Sequence, residues 1–194
     1  FPTVNVDKLE KEAMEPGMHA LDIHFANFGK FRSAPIIFDD QGNIRWYLDL
    51  SFHGAMLSPF QKIKNGNILV AGRRTIYEFD MMGKQMDKIQ IDNNYGIHHD
   101  VLELPNRDLL LCVGTRDAYI EIDGKTILSD SDFMIHYDRK QSKVAKKWDL
   151  AKHLDVSRDD LNFFRGGDWL HMNALEFDPR DSTIIVSGRN QGLI

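Results

Sequence analysis

The chain has 194 residues, 42% of them hydrophobic, and a net charge of -5 at pH 7, a balance that fits a folded domain and argues against a nucleic-acid-binding surface. No run reaches the roughly 18 apolar residues that a membrane-spanning helix needs. The single cysteine, Cys112, lies in the apolar run Leu109-Leu110-Leu111-Cys112-Val113, so a buried, inert thiol is expected and no internal disulfide can form.

In chain order, residues 1–30 match no repeat. Residues 6–13 have a helical pattern and His19–Phe25 alternates like a strand, which predicts an N-terminal segment contributing to a small extra β domain. The chain opens on Phe1 rather than Met, the mark expected of a mature or trimmed product, so the lack of a leader leaves the compartment open. Residues 35–39 and 43–49 read as two strands. Asn65-Gly66-Asn67 and Met82-Gly83-Lys84 are turn signals between β-rich runs, giving strands near 57–63, 67–72, 75–80 and 84–91. The next group falls near 98–104, 109–114, 132–138 and 143–149. Its middle is interrupted by an insertion with its own hairpin, residues 118–122 turning at Asp123-Gly124 into 126–128. A further insertion, 149–164, predicts short helical turns over 150–154 and 158–161. Strands near 171–177 and 182–188 close the sequence.

The groups repeat one another. Phe38-Asp39-Asp40-Gln41-Gly42 maps onto Phe79-Asp80-Met81-Met82-Gly83, and Ile63-Lys64-Asn65-Gly66-Asn67-Ile68-Leu69 onto Leu104-Pro105-Asn106-Arg107-Asp108-Leu109-Leu110. Units of about 40 residues made of short strands and tight turns are the signature of propeller blades. The expected fold is therefore all-β, a partial β-propeller over 31–194 with about three blades' worth of sequence that stops in mid-blade. A propeller that stands alone needs about four or more blades closed in a ring, so the chain is expected to be a fragment of a longer protein.

A longer-range repeat picks out the chemistry. With His171 laid on His98, Asn173 falls on Asp100, Leu175 on Leu102, Glu176 on Glu103 and Arg189 on Arg116. In a propeller the first strand of each blade lines the central channel. Period-two alternation would then point Asp100 and Asn173 to the same side as their histidines. Imidazoles, a carboxamide and guanidinium groups converging there suit a sulfate- or phosphate-like anion, with arginine as bidentate donor and histidine as proton donor or nucleophile. His99 adjoins His98, and a bulge could exchange the two.

Other residues carry plainer readings. His19, His24, His136 and His153 read as structural, with His53 less clear before a first strand. Asn106, Arg107, Asp108 and residues 178–181 read as turn residues. Trp46 and Trp148 are expected to be packing anchors, as is Trp169, which beside His171 could also wall an aromatic substrate pocket. A metal site has suitable ligand types in His98, His99, Asp100 and His171 but lacks compact ligand spacing.

The stretches His98-His99-Asp100-Val101-Leu102-Glu103-Leu104-Pro105-Asn106 and Asp168-Trp169-Leu170-His171-Met172-Asn173-Ala174-Leu175, followed by Ser187-Gly188-Arg189-Asn190-Gln191, resemble the aryl-sulfate sulfotransferase family. Gly42-Asn43-Ile44-Arg45-Trp46-Tyr47 resembles that family's first blade. The resemblance implies a six-bladed propeller, often dimeric and commonly exported to the bacterial periplasm, that needs no nucleotide sulfate donor or other cofactor. It implies ping-pong transfer of a sulfuryl group from an aryl sulfate donor to a phenolic acceptor. A histidine of the His98-His99 pair, with His171, Asn173 and Arg189, would bind the sulfuryl oxygens and stabilise the transition state. The family's covalent histidine matches nothing here, which predicts that this chain alone is inactive. The competing reading is a non-catalytic propeller that holds an anionic ligand or a protein partner.

Overall fold

The computed structural model describes residues 5–13, 17–25, 32–50, 59–122, 124–158, 167–192 and 194. Its turns follow from local chemistry. Gly66 and Gly83 close two of them at φ 88 and 82, a left-handed geometry open to glycine at no steric cost. At the second, the Asp80 carboxylate accepts the N–H groups of Met82 and Lys84, each at 2.9 Å. These turns punctuate the chain into strands that pair in sequence order.

Every sheet described is antiparallel. Strands β1 (His19–Phe25), β2 (Arg32–Phe38) and β3 (Ile44–Tyr47) form the first. Strands β4 (Phe60–Lys62), β5 (Ile68–Ala71), β6 (Thr75–Phe79) and β7 (Gln85–Gln90) form the second. The third contains β8 (Gly96–Glu103), β9 (Leu109–Ile122), β10 (Lys125–Asp138) and β11 (Lys143–Asp149). Strands β12 (Met172–Asp178) and β13 (Thr183–Gly188) pair as the fourth. The expectation of an all-β chain holds: the only helical pieces among the described residues are 3-10 turns at Lys11–Ala13 and Leu150–Lys152. None of them is long and apolar enough to cross a membrane.

One expectation shifts in detail. Residues 6–10 are not helical, and only Lys11–Ala13 turns. The hairpin expected inside the insertion forms, with Ala118 to Ile122 paired to Ser129 to Lys125, as the far end of the 14-residue strands β9 and β10. Strand β1 joins β2 along its whole length, so the N-terminal segment feeds the first sheet. The helical turn expected over 158–161 and the candidate His53 lie outside the described residues, apart from Arg158.

Apolar residues on both faces of the middle strands make the sheets stack. Leu109, Leu111 and Val113 of β9 join Ile63, Leu69, Ala71 and Ile76 in one core between the second and third sheets. Their neighbours Leu110 and Cys112 face the opposite way, into a second core with Trp169, Leu170, Met172 and Leu175. A third core holds Leu48 and Leu50 against Ile68, Val70 and Phe79. Each buried leucine or isoleucine contributes about 2 kcal/mol to this stacking. Cys112 is fully buried as expected, and burial pushes its thiol far above the ordinary value of 9.0. Strand β12 packs on β8 and β9, and β8 packs on β4 and β5.

Candidate functional site

Where β8 meets β12, two histidines leave the ordinary strand path. His99 has φ 56 and His171 φ 55, the left-handed region that costs a non-glycine residue on the order of 1 kcal/mol. Strand β8 carries a bulge against β9 between Ile97 and Val101, and β12 carries one against β13 between Met172 and Ala174. Strict alternation therefore fails at both sites. The bulge in β8 turns the ring of His99, rather than that of His98, onto His171. Their Nε2 atoms are 3.0 Å apart, and the ring centroids 4.8 Å.

Two nitrogens of this cluster, His171 Nδ1 and His98 Nε2, meet aspartates. The Asp168 carboxylate accepts from Nδ1 of His171. A neutral His171 so held carries its proton on Nδ1, offers its Nε2 lone pair inward, and takes Nε2–H from His99. His98 stacks edge-on against His99, with centroids 5.3 Å apart. Its Nε2 stands 3.0 Å from Asp132 Oδ1 but is not aligned for a hydrogen bond. The other oxygen of Asp132, a residue only 5% exposed, accepts the Met172 N–H at 2.9 Å. Partial burial, with the neighbouring charges of His98 and His171, holds His99 below the ordinary 6.5, while Asp132 and Asp168 pull the other way.

The remaining sequence candidates take different places. Asp100 spends both carboxylate oxygens on backbone, accepting Val101 N–H and Leu175 N–H at 2.8 Å each. It thereby ties β8 to β12, and burial raises its pKa. Asn173 leaves its Oδ1 buried without a hydrogen-bond partner among the described residues. Trp169 is 1% exposed and packs in the core with Leu110 and Met134, so it anchors the loop from within. Arg189 is exposed, and its N–H reaches the His171 carbonyl at 3.1 Å. Arg116 falls inside β9 rather than beyond it, and its side chain lies outside the described residues. His136, read as structural, pairs with Asp108 at 2.8 Å.

Sequence reasoning missed Asp132, Asp168 and Gly114. Gly114 lies opposite Asp132 in the β9–β10 register, and a Cβ on it would stand 3.3 Å from His98 Nε2. Its bare backbone makes room for the His98 ring. A glycine inside an apolar strand was the available signal. Asp168 lay within the recognised stretch but carried no periodic pattern to distinguish it.

A model of the arylsulfotransferase (ASST) family matches residues 3–194. The chain belongs to that family. Among curated members it is 26% identical to an arylsulfate sulfotransferase AssT of Escherichia coli O6:H1 over 211 aligned residues, covering 84% of this chain and 35% of that protein. It is 27% identical to the arylsulfate sulfotransferase AssT of Lelliottia amnigena over the same shares. This arylsulfotransferase chain thus spans about a third of the length of the curated relatives it matches. A solved protein of unknown function from Bacteroides caccae overlays 94% of this chain and 68% of its own at 12% identity, with a TM-score of 0.44. So loose an overlap adds nothing to the argument.

Proposed function

We propose that the protein containing this chain moves a sulfuryl group from an aryl sulfate to a phenolic acceptor. The observation that carries the reading is the convergence of His99 Nε2 and His171 Nε2 at 3.0 Å in a member of the arylsulfotransferase family. Two imidazole nitrogens aimed at one point can donate to two oxygens of a single sulfuryl group once both are protonated. They can also pass a proton to the phenolic oxygen that leaves it. The exposed Arg189 adds a fixed positive charge beside the same strand start, and the half-buried Asn173 adds an amide to it. Asp100 stays in this reading as the tie that keeps the two strand starts together, and His98 as the ring that flanks His99.

The same reading extends to the architecture. Apolar cores between successive sheets, with β8 against β4 and β5 and β12 against β8 and β9, are what adjacent propeller blades require. We infer that these sheets are blades of a six-bladed ring in a periplasmic, dimeric protein. Its covalent nucleophile, a histidine in a ping-pong route, comes from outside these residues. Support for that last point is the third of the relatives' length that the chain spans, together with the engagement of His98, His99 and His171 with one another and with aspartates.

The test is release of a chromogenic phenol from its sulfate ester by the full-length protein, with a second phenol as acceptor, alongside the His171→Ala variant. Turnover that depends on the acceptor and is lost in the variant supports transfer. A folded protein that binds the ester without turning it over is an anion-binding propeller instead.

A further inference from the structure

The loop that delivers His171 alternates between core and solvent. Trp169 and Leu170 are each 1% exposed, whereas the side chains of Asp168 and His171 keep 34% and 25% of their surface. Two buried residues thus act as a plug, and the carboxylate and imidazole emerge on either side of it, facing each other. The loop's backbone is fixed without help from the Asp168 carboxylate. Its carbonyl accepts Asn190 Nδ2–H at 2.5 Å, Leu170 O accepts Asn190 N–H at 3.0 Å, and His171 O accepts Arg189 N–H at 3.1 Å. Before it, Gly167 O accepts Asp130 N–H at 2.6 Å and the Ser129 hydroxyl. Among the described residues the carboxylate has one aligned partner, the Nδ1 of His171.

Asp132 offers the contrast. It stands 3.0 Å from a histidine nitrogen, but misaligned, and it is deeply buried with one oxygen spent on backbone. Of the two aspartates beside the cluster, only Asp168 is without a backbone hydrogen bond from its carboxylate among the described residues and aimed along an imidazole N–H.

We propose that Asp168 is the positioning residue of this site, holding His171 in its Nδ1–H form so that Nε2 faces His99 and the bound ester. The proposal rests on the sulfuryl-transfer reading. An imidazole without such a partner can rotate about its Cβ–Cγ bond or carry its proton on the other nitrogen, and either change withdraws Nε2 from its task. When Nε2 gains a proton the same carboxylate stabilises the imidazolium, without itself becoming protonated.

The experiment uses the full-length protein labelled with 15N at histidine, with His171 resonances identified by their loss in His171→Gln. Two-bond 1H–15N spectra report which ring nitrogen carries the proton. The parent should show His171 as Nδ1–H when neutral. In Asp168→Ala it should shift to Nε2–H, and kcat for a chromogenic aryl sulfate should fall roughly 10²-fold while KM changes less than about threefold. Asp168→Asn, close to isosteric, should lose kcat similarly, because its amide N–H can turn toward Nδ1 and select the wrong form. Asp168→Glu should restore the Nδ1–H signature and most of the rate. An unchanged His171 tautomer in folded Asp168→Ala or Asp168→Asn overturns the proposal, as does a rate loss without that change. A tautomer that follows Asp168 in a parent protein with no aryl sulfate turnover sinks the transfer reading and leaves the positioning role supported.

Discussion

His99 on β8 and His171, the residue just before β12, adopt the same left-handed backbone at φ 56 and 55 and meet through Nε2 at 3.0 Å. Two strained residues that converge on one another are held there by their surroundings: the bulge in β8, and the loop clasped by Arg189 and Asn190. Because the pair acts as a unit, its members should fail together. His99→Ala and His171→Ala should each lower kcat for an aryl sulfate by about 10² to 10³. The double variant should be little worse than either single one. His98→Ala, whose ring points to Asp132, should cost roughly tenfold or less. Steady-state kinetics of the four full-length variants decide this, and equal losses for His98→Ala and His99→Ala would remove His99 from the pair.

Binding of an oxyanion should be linked to proton uptake. The two Nε2 atoms share one proton in the free site, and an anion needs an N–H from each. His99 sits below 6.5, so near pH 7 it is neutral and the second proton must arrive with the ligand. Inorganic sulfate should bind more weakly as pH rises, by at most about tenfold per pH unit for one proton. Calorimetry in buffers of different ionisation heat should find up to one proton taken up near pH 7, and none in His99→Ala. The stability linkage has the opposite sense. A histidine whose folded value is depressed stabilises the fold above 6.5 and loses that contribution as pH falls.

Gly188 should resist substitution although it carries no chemistry. A Cβ there would collide with the side chain of Leu170, one half of the buried plug before His171. Gly188→Ala should cost about 1–3 kcal/mol as overpacking. It should also lower kcat more than Gly66→Ala, where a Cβ would meet only open space. Thermal melting with parallel rate measurements tests both parts, and an unshifted melt would mean that Leu170 relaxes freely.

Acid should loosen the joint between the second and third sheets. Glu78, 5% exposed, accepts from Asn65 Nδ2 at 2.9 Å, from Asn67 Nδ2 at 2.6 Å and from Arg139 Nη2 at 2.5 Å. Burial works to raise its pKa, but these donors overcome it and the value falls below the ordinary 4.5. A depressed carboxylate stabilises the fold above 4.5, and that contribution disappears as pH drops through the folded value. Glu78→Gln should cost about 2 kcal/mol at neutral pH by removing a charged acceptor from its donors. It should also flatten the fall in urea midpoint on acidification. A variant that keeps the parent's acid slope would place that sensitivity elsewhere.

The strands of the second and third sheets could be read directly from the sequence because two independent signals agree there. Asn65-Gly66 and Met82-Gly83 mark the turns, and the apolar run through Leu109 and Val113 marks a strand buried on both faces. The full length of β9 and β10 was harder. The hairpin through Tyr119 and Leu128 was legible, but Thr115 and Ser131 give no sign that it continues unbroken into the inner strands, since that pairing comes from the partner strand. In the site, His171, Asn173 and Arg189 stood out through repetition. Asp132 and Asp168 did not, because each reaches its histidine through a fold or a loop that has no period. The choice between His98 and His99 was likewise hidden, because it depends on a backbone bulge that side-chain identity does not record.

That bulge gives residue counting a different meaning in this chain. Between Ile97 and Val101 the strand takes a detour, and the detour decides which of two adjacent histidines is presented. Spacing along the sequence measures path length, while the site depends on where the path arrives. A relative with one residue fewer in the detour could keep both histidines and present the other one. One with a single histidine, moved by a position, could keep the same site.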